Sequence, residues 1–162
     1  MTLSTDGAMT IRPAQSKADY DAARALIVEY VEWLGEDFCL MGFEDELAAL
    51  EEMYGPPNGV LLLAYQESAP VGCIAYRAYG EGVCEMKRLY VVPAARGRAL
   101  GRRLACELIE AARAAGHRRM LLDTLPKLAT AIALYRDLGF VETAPYYDNP
   151  IPNVTFMALD LR

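Results

Sequence analysis

Three apolar segments that follow one another in the middle of the chain limit the choice of fold more than any other feature of the sequence. They span residues 60–66, 71–79 and 83–92, and each is rich in β-branched and aromatic side chains. The stretches between them, residues 67–70 and 80–82, are short enough to be hairpin turns. The pattern therefore predicts three consecutive antiparallel strands.

Helical periodicity precedes this meander. A short strand is predicted at residues 9–14, and Ser16 and Asp19 have the spacing of a capping box that opens a helix ending at Gly35. Apolar residues that recur between positions 43 and 53 predict a second, shorter helix.

Strands and helices alternate after the meander. The predicted elements are a helix, a strand, a helix and two strands, at residues 98–115, 119–124, 129–138, 140–141 and 154–161. This order predicts one α+β domain with a central sheet over residues 9–162, preceded by a flexible tail over residues 1–8.

The composition excludes several classes of protein. With 162 residues, of which 54% are hydrophobic and 23% charged, the chain has the size of one domain and is able to bury a core. Its longest apolar run, residues 60–65, is far shorter than the roughly 20 residues that cross a bilayer. The first residues lack the pattern of a secretory signal. A membrane protein and a disordered chain are therefore not expected.

Cysteine and histidine usage bears on the compartment and on metals. The four cysteines form no Cys-x-x-Cys pair and are typical of reduced thiols in a cytoplasmic protein; they are Cys39, Cys73, Cys84 and Cys106. A single histidine, His117, does not make a zinc site, so no metal is predicted.

Charge is distributed unevenly along the chain. The net charge of −6 argues against a nucleic-acid-binding protein. Residues 85–119 nevertheless carry nine Lys or Arg against three Glu, whereas residues 12–57 carry eleven acidic residues against three basic ones. Two interpretations are open: solvated helix faces, or a basic centre for an anionic ligand beside an acidic wall.

A basic loop with small residues joins the third strand of the meander to the next helix. It contains Arg96, Gly97, Arg98, Ala99, Leu100, Gly101 and Arg102. The free backbone N–H groups and the dipole at a helix start favour a bound phosphate, which the arginines would neutralise. A basic helix cap without a ligand is the alternative.

This loop and two other segments resemble the GNAT superfamily of coenzyme A-dependent N-acetyltransferases. The family's pyrophosphate loop has the form Arg/Gln-x-x-Gly-x-Gly/Ala, which Arg96 and Gly101 match, while Ala99 replaces a usual glycine. Residues 85–91 are similar to the family's fourth strand, and residues 131–140 to its late helix and the strand that follows.

The resemblance covers roughly residues 9–162 and implies the GNAT fold. In this α+β fold, a mixed and mostly antiparallel central sheet carries helices on both faces. One departure is Leu128, which stands where an asparagine often contacts the cofactor.

The resemblance implies acetyl-coenzyme A as co-substrate. In the family the fourth strand splays from the fifth and offers its backbone to the pantetheine arm. The residues expected to bind the cofactor on this basis are Leu89, Tyr90, Val91, Arg96, Gly97, Arg98, Ala99, Leu100, Gly101, Arg102, Ala131 and Leu134.

Two catalytic residues are also implied by the family register. Glu85 matches a glutamate that acts as general base, directly or through water, and Tyr135 matches a tyrosine that protonates the departing thiolate. The same Glu85 is also consistent with an ion pair to Lys87 or Arg88. The expected activity is direct transfer of an acetyl group to a primary amine. The alternative is a non-catalytic acyl-coenzyme A sensor or interaction domain with the same fold.

The acceptor is expected to be a small-molecule or peptide amine, and a homodimer is common in the family. Candidate acceptor-binding residues are Tyr30, Trp33, Tyr146 and Tyr147, from the first helix and from the loop before the last strand. The alternatives are core packing for Tyr30 and Trp33, and a loop that only closes the end of the sheet for Tyr146 and Tyr147. Acidic residues crowd the first two helices and predict a preference for a cationic amine; they are Glu29, Glu32, Glu36, Asp37, Glu44, Asp45 and Glu46.

Overall fold

The structure, a computed structural model, describes residues 8–36 and 42–162. The predicted tail at residues 1–8, apart from Ala8, lies outside this part of the chain, as do Asp37 and Cys39. The strands are β1 Met9–Pro13, β2 Gly59–Gln66, β3 Ala69–Gly80, β4 Val83–Val91, β5 Arg119–Thr124, β6 Val141–Glu142 and β7 Thr155–Asp160. The helices are α1 Lys17–Leu34, α2 Phe43–Ala48, α3 Leu50–Tyr54, α4 Leu100–Ala114 and α5 Ala129–Asp137.

The strands form a single seven-stranded sheet in the order β1-β2-β3-β4-β5-β7-β6. Strands β4 and β5 run parallel, and all other neighbouring pairs in the sheet are antiparallel. The predicted meander is therefore confirmed as β2-β3-β4. The predicted mixed, mostly antiparallel sheet is confirmed as well.

Helices cover both faces of this sheet, as predicted. One core lies under α4 and α5 and includes Leu104, Leu108 and Phe140; the other lies under α1, α2 and α3 and includes Ile27, Leu50 and Tyr54. Within the residues that the structure describes, no helix combines the length and the apolar character needed to cross a bilayer.

Helix α1 begins at the predicted capping box. The Ser16 hydroxyl accepts a hydrogen bond from the Asp19 backbone at 3.2 Å, and the Asp19 carboxylate accepts one from the Ser16 backbone at 3.3 Å. Both guanidinium Nη atoms of Arg12 in β1 donate to Asp19 at 2.8 Å. This pairing holds the pKa of Asp19 well below its ordinary value. The contacts tie α1 to the edge of the sheet and so fix the helix that carries Tyr30 and Trp33.

The single helix predicted between positions 43 and 53 is wrong in one respect, because two short helices occupy this region. Ala49 separates them with φ −120° and ψ 26°, outside the helical range. Its N–H donates to the carbonyls of both Asp45 and Glu46, which closes α2. The break lets Phe43 and Leu50 both reach the core.

Candidate active site

The centre of the sheet is open where β4 and β5 diverge. Their pairing covers only the partners Val83–Arg119, Cys84–Met120 and Glu85–Leu121. Beyond this point β4 stays paired with β3 and β5 stays paired with β7, so a gap widens between two otherwise regular strands. The splay implied by the family resemblance is thus present in the structure.

A β-bulge at Arg88 lies at the start of this gap. Cys73 of β3 pairs with Tyr90 and Ala75 with Lys87, which leaves two residues of β4 opposite one of β3. Arg88 has a positive φ of 64°, an uncommon conformation for a residue with a side chain. The bulge bends β4 away from β5.

A buried ion pair fixes the Arg88 side chain. Its Nε and Nη2 atoms donate to the two carboxylate oxygens of Glu46 in α2, each at 2.8 Å. Burial alone would raise the pKa of Glu46, but the hydrogen bonds and charge of Arg88 outweigh burial and lower it. Glu46 therefore belongs to the support of the bulge and not to the acidic surface in which the sequence analysis placed it.

A cleft of about 530 Å³ runs from this gap to the start of α4. Its lining is Tyr30, Trp33, Leu89, Tyr90, Val91, Ala95, Arg96, Gly97, Ala99, Leu100, Gly101, Arg102, Lys127, Leu128, Ala129, Thr130, Ala131, Leu134 and Tyr135. Every residue predicted to bind the cofactor lines it except Arg98, which is exposed outside the cleft.

The start of α4 forms one end of the cleft. Ala99, the residue before the helix, has a left-handed backbone with φ 56°, and its side chain gives no hydrogen bond to the first turn. The first N–H groups of the helix are therefore available to a ligand. Gly101 has open space where a Cβ atom would stand. The geometry fits a pyrophosphate, whose charge Arg96 and Arg102 would meet.

Arg96, in the loop before α4, packs against two aromatic rings that line the same cleft. The guanidinium carbon of Arg96 lies 5.2 Å from the Trp33 ring centroid and 5.8 Å from that of Tyr90. Its Nε atom donates to the carbonyl of Val91 at 2.9 Å. Arg96 thus bridges α1 and β4 at the edge of the cleft, beside the backbone to which the pantetheine arm is expected to bind.

A smaller cavity of about 60 Å³ lies deeper in the gap, on the side of α1 and of the loop before β7. It meets the large cleft at four residues that line both, which are Tyr30, Leu89, Leu128 and Tyr135. Asp123, Thr124, Asn149 and Ile151 are among the residues that line the small cavity and not the large cleft.

Tyr135 projects from α5 to the junction of the two cavities. Burial raises its pKa well above the ordinary value of a tyrosine, and the nearby Tyr30 and Asp123 raise it further. Its hydroxyl forms no hydrogen bond with any residue in the described ranges. Tyr135 is therefore protonated and free to donate to a ligand atom at the junction.

Glu85 is buried in β4 and surrounded by donors. Its Oε1 atom accepts from Arg77 Nε at 3.0 Å and lies 3.8 Å from Lys87 Nζ, and its Oε2 atom accepts from the Tyr146 hydroxyl at 2.6 Å. Glu85 lines neither cavity. The ion-pair interpretation is thus present in the structure, with Arg77 as an additional partner, and the role of Glu85 as a base stays a prediction.

The loop before β7 reaches both diverging strands through adjacent tyrosines. Tyr146 donates to Glu85 of β4, and the Tyr147 hydroxyl donates to Asp123 Oδ2 of β5. The Asn149 side chain also donates to Asp123 Oδ2, at 2.9 Å. The loop therefore connects β4 and β5 next to the small cavity.

The four predicted acceptor-binding residues have different positions. Tyr30 lines both cavities, and Trp33 lines only the large cleft. Tyr147 lines a third cavity of about 340 Å³, formed with other residues of the loop before β7. Tyr146 lines none of the three cavities, and its hydroxyl donates to Glu85.

Several residues of the site were missed by the sequence analysis. Asp123 and Thr124 end an apolar strand, and an acid within such a strand is a signal that could have indicated Asp123. Asn149 and Ile151 lie in an irregular loop, where no periodicity indicates which side chains face inward. Among residues 8–36 and 42–162, no three His, Cys, Asp or Glu side chains are placed to hold a metal.

Comparisons with known proteins agree with this architecture. The sequence profile of the Acetyltransferase (GNAT) family matches residues 27–140. An uncharacterized N-acetyltransferase of Schizosaccharomyces pombe is 42% identical over 155 residues, which cover 94% of this chain and 95% of that protein. An IAA acetyltransferase of Azospirillum brasilense is 38% identical over 127 residues, covering 78% of this chain and 81% of that protein.

A solved structure matches over nearly the whole chain. The protein yncA from Salmonella typhimurium, solved with its cofactor acetyl-CoA, has a TM-score of 0.67 and 26% identity, and the match covers 96% of this chain and 95% of that one. The opened sheet and the basic helix start are features of an acetyl-CoA-dependent acyltransferase. The chain belongs to the GNAT family of acetyltransferases.

Proposed function

We propose that the protein transfers the acetyl group of acetyl-CoA to a primary amine by direct attack. The observation that carries this proposal is the junction of the two cavities at Tyr30, Leu89, Leu128 and Tyr135. A cofactor in the large cleft would bring its reactive end to this junction, where an amine in the small cavity would face it.

The predicted cofactor-binding residues are proposed to hold two parts of the cofactor, the pantetheine arm and the pyrophosphate. The backbone of Leu89, Tyr90 and Val91 binds the pantetheine arm, and the start of α4 binds the pyrophosphate. Ala131 and Leu134 of α5 pack along the arm from the other side. Arg98, outside the cleft, contributes its charge only.

Two residues are proposed to move protons. Acetyl-CoA supplies the acetyl thioester; the amine nitrogen bonds to its carbonyl carbon and the carbon–sulfur bond breaks. Tyr135 donates its proton to the departing sulfur. Glu85 receives the proton that the nitrogen loses, through the Tyr146 hydroxyl and water, because Glu85 lines neither cavity.

A cationic or neutral amine fits the small cavity better than an anionic acceptor does. Lys87 and Arg88 line this cavity, but Lys87 lies beside Glu85 and Arg88 pairs with Glu46. The Azospirillum relative is named for IAA, whereas we propose an amine as the acceptor of this chain.

Residues 9–162 are proposed to act as one domain in the cytoplasm. The three cysteines that the structure describes are unpaired, and Cys73 and Cys84 are buried. Reduced thiols of this kind are typical of that compartment. A homodimer stays a prediction from the family.

The proposal is tested by separating binding from turnover. Trp33 is the single tryptophan of the chain and lines the large cleft, so its fluorescence is expected to change on titration with acetyl-CoA. Thiol release is then measured with a panel of primary amines, and the products are identified by mass spectrometry. Binding without thiol release would support the non-catalytic sensor, and absence of binding would contradict both functions.

A further inference from the structure

Asp123 differs from the buried acids of the structure in its lack of a cation. Asp19, Glu46 and Glu85 each pair with an arginine, which is Arg12, Arg88 and Arg77 respectively. Asp123 is half-buried in the small cavity, and no Lys or Arg of the described chain forms an ion pair with it. A carboxylate removed from water is costly unless a cation or hydrogen-bond donors compensate it.

Neighbouring donors hold Asp123 by one oxygen only. Tyr147 and Asn149 both donate to its Oδ2 atom, and Asn149 Nδ2 also lies 2.7 Å from the Tyr147 hydroxyl. The Asn149 carbonyl oxygen is itself fixed by the Ile151 N–H at 2.9 Å. The Oδ1 atom of Asp123 accepts no hydrogen bond from the described residues. The carboxylate is therefore oriented, with one oxygen left for a ligand.

A second polar group of the same cavity also lacks a partner. The Thr124 side chain is 5% exposed, and its Oγ1 atom is buried without a hydrogen bond in the described structure. Thr124 follows Asp123 in β5 and lines the same cavity. Both groups can accept hydrogen bonds, and an ammonium group has three donors and a positive charge.

The cavity limits what can enter it. About 60 Å³ is enough for an ammonium group and the first carbon attached to it, but not for a bulky substituent. The third cavity, of about 340 Å³, shares Asn149 and Ile151 with the small one and has Tyr147, Phe156 and two prolines in its walls. It offers space and apolar contact for the remainder of an acceptor.

We propose that Asp123 binds the ammonium group of the acceptor, and that the acceptor is an unbranched primary amine with an apolar body lying in the third cavity. The inference rests on the proposed acetyl transfer and adds the residue and the substrate class. Asp123 then holds the nitrogen in the gap beside Tyr135, and Tyr147 and Asn149 are positioning residues that orient the carboxylate.

The test uses 2-phenylethylamine and the variant Asp123→Asn. Asparagine keeps the shape of the side chain and its ability to accept from Tyr147, but it loses the charge. We expect the KM for the amine to rise by about tenfold or more, equivalent to roughly 1.4 kcal/mol, with an unchanged Kd for acetyl-CoA by Trp33 fluorescence. Asp160→Asn, an exposed acid of β7, is the matched control and should leave both constants unchanged.

A neutral nucleophile separates charge recognition from structural damage. Benzhydrazide is uncharged near neutral pH, so Asp123→Asn should change its KM by less than about threefold, and the loss with 2-phenylethylamine should shrink as pH rises toward the pKa of the amine. Equal losses with both nucleophiles, or an unchanged KM for the amine, would overturn the role of Asp123. Absence of acetyl-CoA binding or of any acetylation by the wild-type protein would overturn the proposed function, and this inference with it.

Discussion

At the scale of the residue, local environment separates side chains that the sequence alone does not distinguish. Glu85 and Asp123 are both acids within apolar strands. Glu85 is enclosed by Arg77, Lys87 and Tyr146, whereas Asp123 keeps one oxygen open to a cavity. The sequence could indicate that each was unusual, but the partners that give them different tasks lie in other elements.

Tyr135→Phe is expected to lower kcat for all amine acceptors alike, by about 10²-fold, because the hydroxyl protonates the same leaving group in every case. The measurement is turnover under conditions in which chemistry limits the rate. Tyr76→Phe is the matched control, since Tyr76 is buried on the same face of the sheet and lines neither the cleft nor the small cavity. Full turnover in Tyr135→Phe would leave the hydroxyl without a catalytic role.

Glu85→Gln is expected to act on kcat rather than on the KM of the amine, in contrast to Asp123→Asn. A strongly basic amine should lose more than a weakly basic one, because the latter needs less help to become neutral. Steady-state kinetics with matched amines measures this difference. If the substitution lowers kcat equally for both amines, Glu85 serves only to hold Tyr146 and Arg77.

Ala99, which replaces a usual glycine of the family pattern, adopts a left-handed conformation that suits glycine better than alanine. A residue with a side chain in this conformation carries roughly 1–2 kcal/mol of strain. Glycine removes the strain, but its greater conformational entropy in the unfolded state offsets part of the stability gained. Ala99→Gly is therefore expected to raise the free energy of unfolding by about 0.5–1 kcal/mol in urea titrations. Ala114→Gly, in the same helix with ordinary helical geometry, should lower it; a loss in both variants would contradict the strain at Ala99.

At the scale of the element, the period of the apolar residues predicts the strands and helices to within a few positions, but not the features that open the site. Nothing within β4 indicates that Arg88 adopts a positive φ. In this conformation the Arg88 side chain pairs with Glu46 of α2, a residue that lies far away in the sequence and comes close only in the folded protein. The break at Ala49 likewise reflects tertiary packing, because it lets Phe43 and Leu50 both enter the same core.

The Glu46–Arg88 pair is expected to support both stability and the gap. Glu46→Gln removes the carboxylate that neutralises a buried guanidinium, and should lower the free energy of unfolding by about 3–5 kcal/mol at pH 7. Because folding lowers the pKa of Glu46, its contribution is fully present above its unfolded pKa of about 4.3 and is lost as pH falls from there through the lower pKa of the folded state. The difference between wild type and variant in urea unfolding should therefore shrink in acid.

Two controls accompany this measurement. Glu44→Gln changes an exposed acid of the same helix and should have little effect. The double substitution Glu46→Leu and Arg88→Met replaces both charges and should recover much of the stability. If the stability difference between wild type and Glu46→Gln grows in acid, the ion pair is not its cause.

The start of α4 gives the clearest test of cofactor binding. A Cβ atom at Gly101 would meet nothing within 4 Å apart from its chain neighbours and the backbone of its own helix, so Gly101→Glu should fold while placing a negative charge where a phosphate is expected. The Kd for coenzyme A should rise at least about tenfold, and Gly101→Ala should change it by less than about threefold. An unchanged Kd in the glutamate variant would show that the pyrophosphate binds elsewhere.

At the scale of the whole molecule, the charge segregation seen in the sequence persists on the surface of the fold. The basic loop lies at the cofactor end. Of the acids predicted to crowd the first two helices, Glu29 and Glu32 on α1, Glu36 just after it, and Glu44 and Asp45 on α2 are exposed. Composition could indicate this division, but not that Glu46 is neutralised within the fold.

This acidic surface is expected to attract cationic acceptors over a distance. The kcat/KM for 2-phenylethylamine should fall as salt is raised, because the screening length shortens to about 10 Å near 0.1 M. An anionic amine should have a lower kcat/KM, and that value should change less as salt is raised. The double variant Glu32→Lys and Glu36→Lys should flatten the dependence, and a slope that is unchanged in this variant would assign it to other charges.

The two walls of the gap come from separate stretches of the chain. Residues 89–102 and 127–135, with Tyr30 and Trp33 of α1, line the cofactor cleft, whereas the loop between β6 and β7 contributes Tyr147, Asn149 and Ile151 to the other two cavities. If the proposed acceptor site is right, substitutions in that loop should change which amine body is accepted, while Asp123 of β5 still binds the ammonium group and the cofactor cleft stays intact. For redesign, the loop and the strand would then be separate handles, one for the body of the amine and one for its charge.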